Sequence, residues 1–177
     1  MRIVIAPDSF KGSLTALEAA QAMAAGVRQV FPGAEVNLFP LADGGEGTLD
    51  ALLFSVGGER RHATVSGADG RPVAAAWAVL PGDEAVIESA QVVGFAQAAA
   101  SPVEHRSSRG VGELLRHILD AGFRNILVGL GGTSTNDGGA GMLTALGVQL
   151  LDAVGGRVEA RSEEHTSELQ SRSTTSY

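Results

Sequence analysis

Two acidic side chains stand three residues apart in the run D-G-G-E-G-T, which extends from Asp43 to Thr48. Carboxylates at this spacing among glycines can hold Mg²⁺ together with substrate oxygens, or can take a proton from a hydroxyl group. The alternative is a helix N-terminus, where the acidic charges favour the helix dipole and Thr48 is the cap. Because capping does not explain three glycines in four positions, we interpret the run as a ligand-binding loop. Its candidate residues are Asp43 for catalysis, Asp43 and Glu46 for a metal ion, and Gly44 and Gly45 for substrate or phosphate.

A longer glycine-rich run, G-L-G-G-T-S-T-N-D-G-G-A-G-M-L, extends from Gly129 to Leu143 after an apolar segment. Its first glycines fit the start of the G-x-G-x-x-G dinucleotide fingerprint, and Asp152 lies about 20 residues further on, where a ribose-binding acid is expected. Ser134 replaces the third glycine, however, and the following helix is predicted to begin only after Asp137. This favours a longer loop around phosphate oxygens, with Asp137 at a metal ion or a hydroxyl group. The candidate binding residues are Gly131, Gly132, Thr133, Ser134, Asn136, Gly138 and Gly139, and Asp137 is a candidate for catalysis and for metal binding.

The start of that helix carries an unusual number of glycines, at Gly138, Gly139 and Gly141. Each would weaken the first helical turn by roughly 1 kcal/mol relative to alanine. A cost repeated at three positions implies a bulky neighbour, and phosphate oxygens held by bare N–H groups would supply one.

A third run, D-S-F-K-G-S, extends from Asp8 to Ser13 and contains the only lysine among thirteen basic residues. Lys11 and the N–H groups at a helix start make a site for an anion such as phosphate or carboxylate. The run lacks the Walker A order G-x-x-x-x-G-K-[ST]. Alternatively, Asp8 and Ser13 only satisfy backbone donors while Lys11 is solvated. The candidate residues are Asp8, Ser9 and Lys11, with Lys11 also a candidate for catalysis.

We call these segments the first loop (Asp8 to Ser13), the second loop (Asp43 to Thr48) and the third loop (Gly129 to Gly139). Each follows a predicted strand, and loops at the carboxyl ends of parallel strands line one crevice. The same crevice can include four further residues, Glu88, Ser89, Ser107 and Ser108. The four histidines, in contrast, are scattered without the spacing of metal ligands.

The pattern of apolar residues predicts the elements that position these loops. A βαβα start contains strands at Arg2 to Ala6 and Glu35 to Phe39, a helix opened by the capping box of Thr15 and Glu18, and a helix at Thr48 to Val56. Three strand-like runs separated by hairpin turn signals then occupy residues 60–89. A helix, a strand and a helix follow, at Gly112 to Ala121, Arg124 to Val128 and Ala140 to Leu146.

The predicted fold class is therefore α/β, with an open and mostly parallel sheet flanked by helices and an antiparallel or mixed inserted segment. We divide the chain into a first α/β part (1–58), a mixed β insertion or start of a second domain (59–105), an α/β continuation (106–160) and a disordered tail (161–177). The tail is polar and aperiodic, and R-S-E-E-H-T-S-E-L-Q-S resembles the translation of a sequencing-library adapter. We therefore leave it out of the fold prediction.

Composition restricts the class of partner. The chain of 177 residues has a net charge of -7, 44% hydrophobic residues and no cysteine. These features disfavour binding to nucleic acid or anionic membranes and exclude disulfides and thiolate metal sites. We expect a soluble, cytoplasmic protein with a small-molecule substrate, and the features are compatible with a homo-oligomer.

Together the three loops, the segment I-E-S-A-Q from Ile87 and the segment S-S-R-G-V-G-E-L from Ser107 resemble the bacterial glycerate kinase family, from Met1 to about Ala160. The third loop departs from the more familiar G-G-S-A-T-N-D-G-G only at Thr133 and Ser134. Members of the family are more than twice as long as the matching segment, so the resemblance indicates an N-terminal portion. It implies two α/β domains with the site in the cleft between them.

The resemblance also implies an activity, the ATP-dependent phosphorylation of D-glycerate to 2-phosphoglycerate or 3-phosphoglycerate. Lys11 would then neutralise phosphate or the substrate carboxylate, while Asp43 and Glu46 hold Mg²⁺ or orient glycerate. The backbone from Gly131 to Gly139 would cradle phosphates, and Asp137 would accept the hydroxyl proton or bind the metal. Two alternatives stay open, an NAD-type dinucleotide-binding oxidoreductase and an inactive truncated fragment.

Overall fold

A computed structural model describes residues 1–95 and 101–158 of the chain. The chain begins with strand β1 (Arg2–Ile5), helix α1 (Ala16–Val30) and strand β2 (Glu35–Leu38). The two strands pair in parallel, and Ile5 of β1 packs with Ala20 and Ala24 of α1 in a small core. The predicted capping box opens α1, because Thr15 and Glu18 each accept the backbone N–H of the other.

A second sheet contains four strands in the order β3-β4-β5-β6. Strands β3 (Glu59–Ser66), β4 (Pro72–Leu80) and β5 (Glu84–Glu88) pair antiparallel through the two predicted hairpin turns, and β6 (Asn125–Gly129) pairs in parallel with β5. The predicted mixed α/β class is confirmed. Its parallel pairs are divided between two sheets, β1 with β2 and β5 with β6.

Helices cover both faces of the four-stranded sheet. They are α2 (Thr48–Val56), α3 (Ala90–Val93), α4 (Arg109–Asp120) and α5 (Ala140–Ala145), and a 3-10 turn lies at Val103–His105. Trp77 of β4 packs in one cluster with Leu114 of α4, and its neighbour Ala78 packs in another with Leu49 of α2. Both faces of β4 are therefore buried, which explains its continuous apolar sequence.

The predicted elements begin and end close to their observed positions, whereas α3 and the 3-10 turn were not predicted. The largest difference is α4, which begins at Arg109, three residues before the predicted helix. The proposed tail, 161–177, lies outside the described residues. None of the described helices is both long and apolar enough to cross a membrane.

Candidate functional site

The first and second loops begin at the same edge of the two-stranded sheet. Because β1 and β2 are parallel, their carboxyl ends lie side by side, with Ile5 opposite Leu38. The pairing continues past the strands, where the Leu41 N–H donates to the Pro7 carbonyl at 2.9 Å. The first and second loops therefore lie side by side, as expected of loops that follow neighbouring parallel strands.

The second and third loops touch through their backbones. The Gly131 N–H donates to the Gly44 carbonyl at an N to O distance of 2.8 Å. A Cβ atom on Gly131 would lie 2.5 Å from the Gly45 nitrogen, and one on Gly129 would lie 2.7 Å from the Gly44 oxygen. Glycine is required here because two main chains approach each other closely.

Glu88, at the end of β5, connects the second loop to the four-stranded sheet. Its carboxylate accepts the Gly47 N–H at 3.2 Å and the Leu49 N–H at 3.1 Å, and it lies opposite Gly129 in the pairing of β5 with β6. The side chain is fully buried. Burial raises the pKa of Glu88 above its ordinary value, although the hydrogen bonds from Leu49 and Gly47 oppose that shift.

Asp137 lies inside the protein, with 2% of its surface exposed. Its carboxylate accepts the backbone N–H and the hydroxyl of Ser108, both at 2.8 Å, and the Ser107 hydroxyl at 3.3 Å. It also accepts the N–H groups of Gly139 and Gly141, at 3.2 and 3.1 Å. One carboxylate thus joins the starts of α4 and α5, and it brings the two serines to the third loop as the sequence suggested.

The glycines around Asp137 have reasons within the protein itself. Gly138 and Gly139 precede α5 with φ of 58° and 80°, so they form a left-handed turn and are not part of the helix. A Cβ atom on Gly141 would lie 2.2 Å from the Ser107 hydroxyl oxygen. At Gly141 the bulky neighbour inferred from the sequence is therefore the segment that leads into α4. At Gly138 and Gly139 the reason for glycine is the left-handed backbone conformation.

Ser134 anchors the middle of the third loop. Its N–H and its hydroxyl both donate to the Val93 carbonyl at 2.8 Å, and Arg106 donates to the Ser134 carbonyl at 3.2 Å. Thr133 forms an isolated bridge with Gly94. These contacts hold the loop against α3, and no motif in the sequence indicated that Arg106 would take part in them.

The acidic side chains of the second loop face solvent. Asp43 and Glu46 are exposed, and one oxygen of Asp43 accepts the Gly45 N–H at 3.0 Å. The Thr48 hydroxyl donates to the Gly45 carbonyl at 2.8 Å and closes the turn. Within the described part of the chain, no three His, Asp or Glu side chains gather closely enough to hold a metal ion by themselves. A cation here would therefore need oxygens from a ligand or water as well.

The first loop presents its polar side chains to solvent. Asp8, Ser9 and Lys11 are all exposed, and the Asp8 carboxylate accepts the Ser9 N–H at 2.6 Å. Local hydrogen bonds between Phe10 and Leu14 close the loop before α1 begins. The ammonium group of Lys11 is accessible to an anion from solvent.

Asp152, the acidic residue expected to bind ribose in a dinucleotide site, forms hydrogen bonds within a local turn. Asp152 is exposed, and its carboxylate accepts the N–H groups of Val154 and Gly156 at 2.9 and 2.7 Å. Helix α5 begins only at Ala140, far later than in a dinucleotide-binding turn. Both observations count against a dinucleotide-binding turn at this position.

Comparison with known proteins identifies one family. A family model described as the glycerate kinase family matches residues 3–176. The chain is 47% identical over 164 residues to "Glycerate 2-kinase" of Escherichia coli and 46% identical over 164 residues to "Glycerate kinase" of Bacillus subtilis. In each case the match covers 89% of this chain but 42% of the relative, so the chain spans less than half the length of these proteins.

A solved structure shows the same similarity in three dimensions. It is a crystal structure described as a glycerate kinase 2 from Salmonella typhimurium LT2, with a TM-score of 0.74 and 46% sequence identity. The match covers 89% of this chain and 43% of that one.

Proposed function

We propose that this chain, which belongs to the glycerate kinase family, supplies part of the site at which the full-length protein transfers a phosphoryl group from ATP to a hydroxyl group of D-glycerate. The observation that carries the proposal is the direct backbone contact between the second and third loops. It places exposed carboxylates beside a glycine-rich segment that can approach phosphate closely. Phosphoryl transfer depends chiefly on such positioning and on neutralisation of charge.

In this proposal the exposed carboxylates of Asp43 and Glu46 hold Mg²⁺ or orient glycerate. Their fit to Mg²⁺ rests on the donor chemistry, because this ion commonly takes one or two carboxylates together with substrate phosphates and water. When bound, the ion supplies neutralisation of phosphate charge. Lys11, exposed at the edge that the second loop shares, neutralises a phosphate or the carboxylate of glycerate.

The third loop cradles phosphate oxygens between Gly131 and Gly139. The N–H groups of Gly131, Ser134 and Gly139 already donate within the protein, so the contacts with phosphate fall to other N–H groups of the loop. Asp137 cannot act as a base or metal ligand without exchanging some of its hydrogen bonds from Ser107, Ser108, Gly139 and Gly141. The arrangement therefore supports a first role in which Asp137 keeps the third loop in shape. The role in proton transfer that the motif suggests stays a prediction.

The part of the protein that corresponds to the remaining length of the relatives would supply the opposite wall of the cleft. We place the division between the two domains near residue 59, where the hairpin strands begin, and we propose a cytoplasmic enzyme with ATP and Mg²⁺ as cofactors. The open edge of the crevice, where Asp43 and Lys11 reach solvent, is where such a wall would close on the substrates.

The experiment that tests the proposal is thermal unfolding of the complete gene product with each ligand in turn. A ligand that binds only the folded state stabilises it by about 2.7 kcal/mol at one hundred times its Kd. We expect Mg-ATP and D-glycerate to raise the Tm, and Asp43→Asn to reduce the effect of Mg-ATP. A rise in Tm with NAD but not with ATP would favour the oxidoreductase alternative. If the complete gene product responds but this 177-residue chain shows no rise with any ligand, the result would favour the inactive fragment.

A further inference from the structure

Glu88 caps a helix from which it is separated by about forty residues of sequence. Helix α2 begins after Gly47, whose φ of 93° is left-handed and which has no side chain with which to cap. The first N–H groups of a helix have no partner within the helix. The Glu88 carboxylate accepts two N–H groups at this start, those of Gly47 and Leu49.

This solution is costly, which makes a role beyond capping worth testing. Glu88 is fully buried at the end of the strand segment A-V-I-E, and Val86 and Leu49 are buried as well. The positive end of the α2 dipole and the two N–H donors offset part of the cost of burying a charge. A Ser or Asp at position 47 would cap the helix from the surface, but the left-handed backbone there favours glycine.

The position of Glu88 connects two loops of the proposed site. On one side it holds Gly47, directly after Glu46 of the second loop. On the other side Glu88 lies opposite Gly129 in the sheet. The N–H of Ser89, which follows Glu88 in the chain, donates to the Gly129 carbonyl at 2.9 Å. A change in the Glu88 carboxylate would therefore move the second loop relative to the third.

We propose that Glu88 is a positioning residue, which fixes the second loop against the start of the third and thereby sets where Asp43 and Glu46 stand toward the ligands. This inference rests on the proposed function. Its competitor is a purely structural role, in which Glu88 only adds stability to α2.

Two variants of the complete gene product separate these roles. Glu88→Gln keeps the size of the side chain but loses the charge and one acceptor oxygen. Leu52→Ala is the matched control, because Leu52 lies on the same helix and packs against the same core cluster as Leu49 but is not one of the capping partners of Glu88. For each variant we would measure steady-state kinetics with ATP and D-glycerate, at a temperature well below the Tm of either variant. Hydrogen exchange of residues 43–56 is measured in the same two proteins.

For Glu88→Gln we expect the KM for D-glycerate or Mg-ATP to rise about tenfold, equivalent to about 1.4 kcal/mol, with faster exchange at Gly47 and Leu49. For Leu52→Ala we expect a lower Tm and parental KM values. Parental KM and exchange in Glu88→Gln, or an equal change in both variants, would overturn the inference.

Failure of the proposed function gives a different result. A parent protein that is folded but does not phosphorylate glycerate would refute the function. The exchange at Gly47 and Leu49 would still show whether Glu88 holds the loop, since unchanged protection in Glu88→Gln contradicts the positioning role without any assay of activity.

Discussion

The N–H of Gly131 donates to the carbonyl of Gly44 at 2.8 Å, so that the second and third loops meet through main chain alone. A contact of this kind leaves no room for a side chain, because a Cβ atom on Gly131 would lie 2.5 Å from the Gly45 nitrogen. The second and third loops are therefore in direct main-chain contact at this point.

Gly131→Ala should therefore separate the two loops. We expect the overpacking to lower the free energy of unfolding by about 1–3 kcal/mol and to reduce kcat/KM for phosphoryl transfer. Urea unfolding and steady-state kinetics measure the two effects. Gly26→Ala is the control, because Gly26 lies in α1 with nothing within 4 Å of an added Cβ, and it should stabilise the helix by up to about 1 kcal/mol. Equal behaviour of the two variants would contradict the close contact.

The second prediction concerns the carboxylate of Asp137, which accepts hydrogen bonds from surrounding N–H and O–H groups. The variant Asp137→Asn replaces one of its acceptor oxygens with an NH₂ donor, which cannot accept them. Hydrogen bonds to a charged group contribute about 1.5–3 kcal/mol each, so we expect a loss of at least that size in urea unfolding. Ser108→Ala is the matched variant, because it removes the hydroxyl at 2.8 Å from Asp137 but keeps the carboxylate.

The kinetics of these two variants decide what Asp137 does. If Asp137 anchors the loop, both variants lose activity in proportion to their loss of stability. If it accepts the substrate proton or binds metal, Asp137→Asn loses far more kcat than Ser108→Ala. Parental kcat in Asp137→Asn would remove Asp137 from the chemistry.

Glu88 predicts a dependence of stability on pH. Because burial raises its pKa in the folded protein above the ordinary value of 4.5, the unfolded chain releases this proton at lower pH than the folded protein does. Its contribution to the free energy of unfolding is therefore largest below pH 4.5 and falls as the pH rises through the folded-state pKa. Asp50 adds repulsion, and Gln91 donates weakly to the same carboxylate.

Glu88→Gln removes this titration. We expect the difference in free energy of unfolding, parent minus variant, to fall as the pH rises above about 4.5, as measured by urea unfolding from pH 4 to 8. A difference that is constant or that grows with pH would contradict a raised pKa of Glu88 in the folded protein.

Much of this fold could be predicted from the sequence because its local signals agree with its packing. The capping box of Thr15 and Glu18 and the turn signals at Pro81 to Asp83 depend on neighbouring residues only, and both occur where expected. The division of the parallel strands into two sheets depends on contacts between distant elements. Periodicity in one sequence carries no information about such contacts.

Contacts between residues that are distant in the sequence also decide the structure of the candidate site, and they could not be predicted. Glycine content indicated that something approaches the third loop closely, but at Gly131 and Gly141 the neighbour is the protein itself. The sequence showed Glu88 only as an acidic residue at the end of an apolar strand and did not indicate that it caps α2. A carboxylate in such a place needs a partner, and the partner lies about forty residues away in the sequence.

Asp43→Asn tests the charge of the second loop without changing its turn, because an Asn oxygen can still accept the Gly45 N–H that Asp43 accepts at 3.0 Å. We expect the Mg²⁺ concentration for half-maximal activity to rise about tenfold, or about 1.4 kcal/mol, while the Tm without ligands stays near that of the parent. Glu35→Gln, at an exposed position on β2, is the control. An unchanged requirement for Mg²⁺ in Asp43→Asn would exclude this carboxylate from the metal site.

The most direct test of the central claim is identification of the product when the complete gene product is mixed with Mg-ATP and D-glycerate. Phosphorus NMR follows ATP, ADP and any phosphate ester in the same sample. The account predicts one phosphoglycerate formed for each ATP consumed, and none when glycerate or Mg²⁺ is left out. A folded protein that leaves ATP and glycerate unchanged, or that releases only inorganic phosphate, would contradict it.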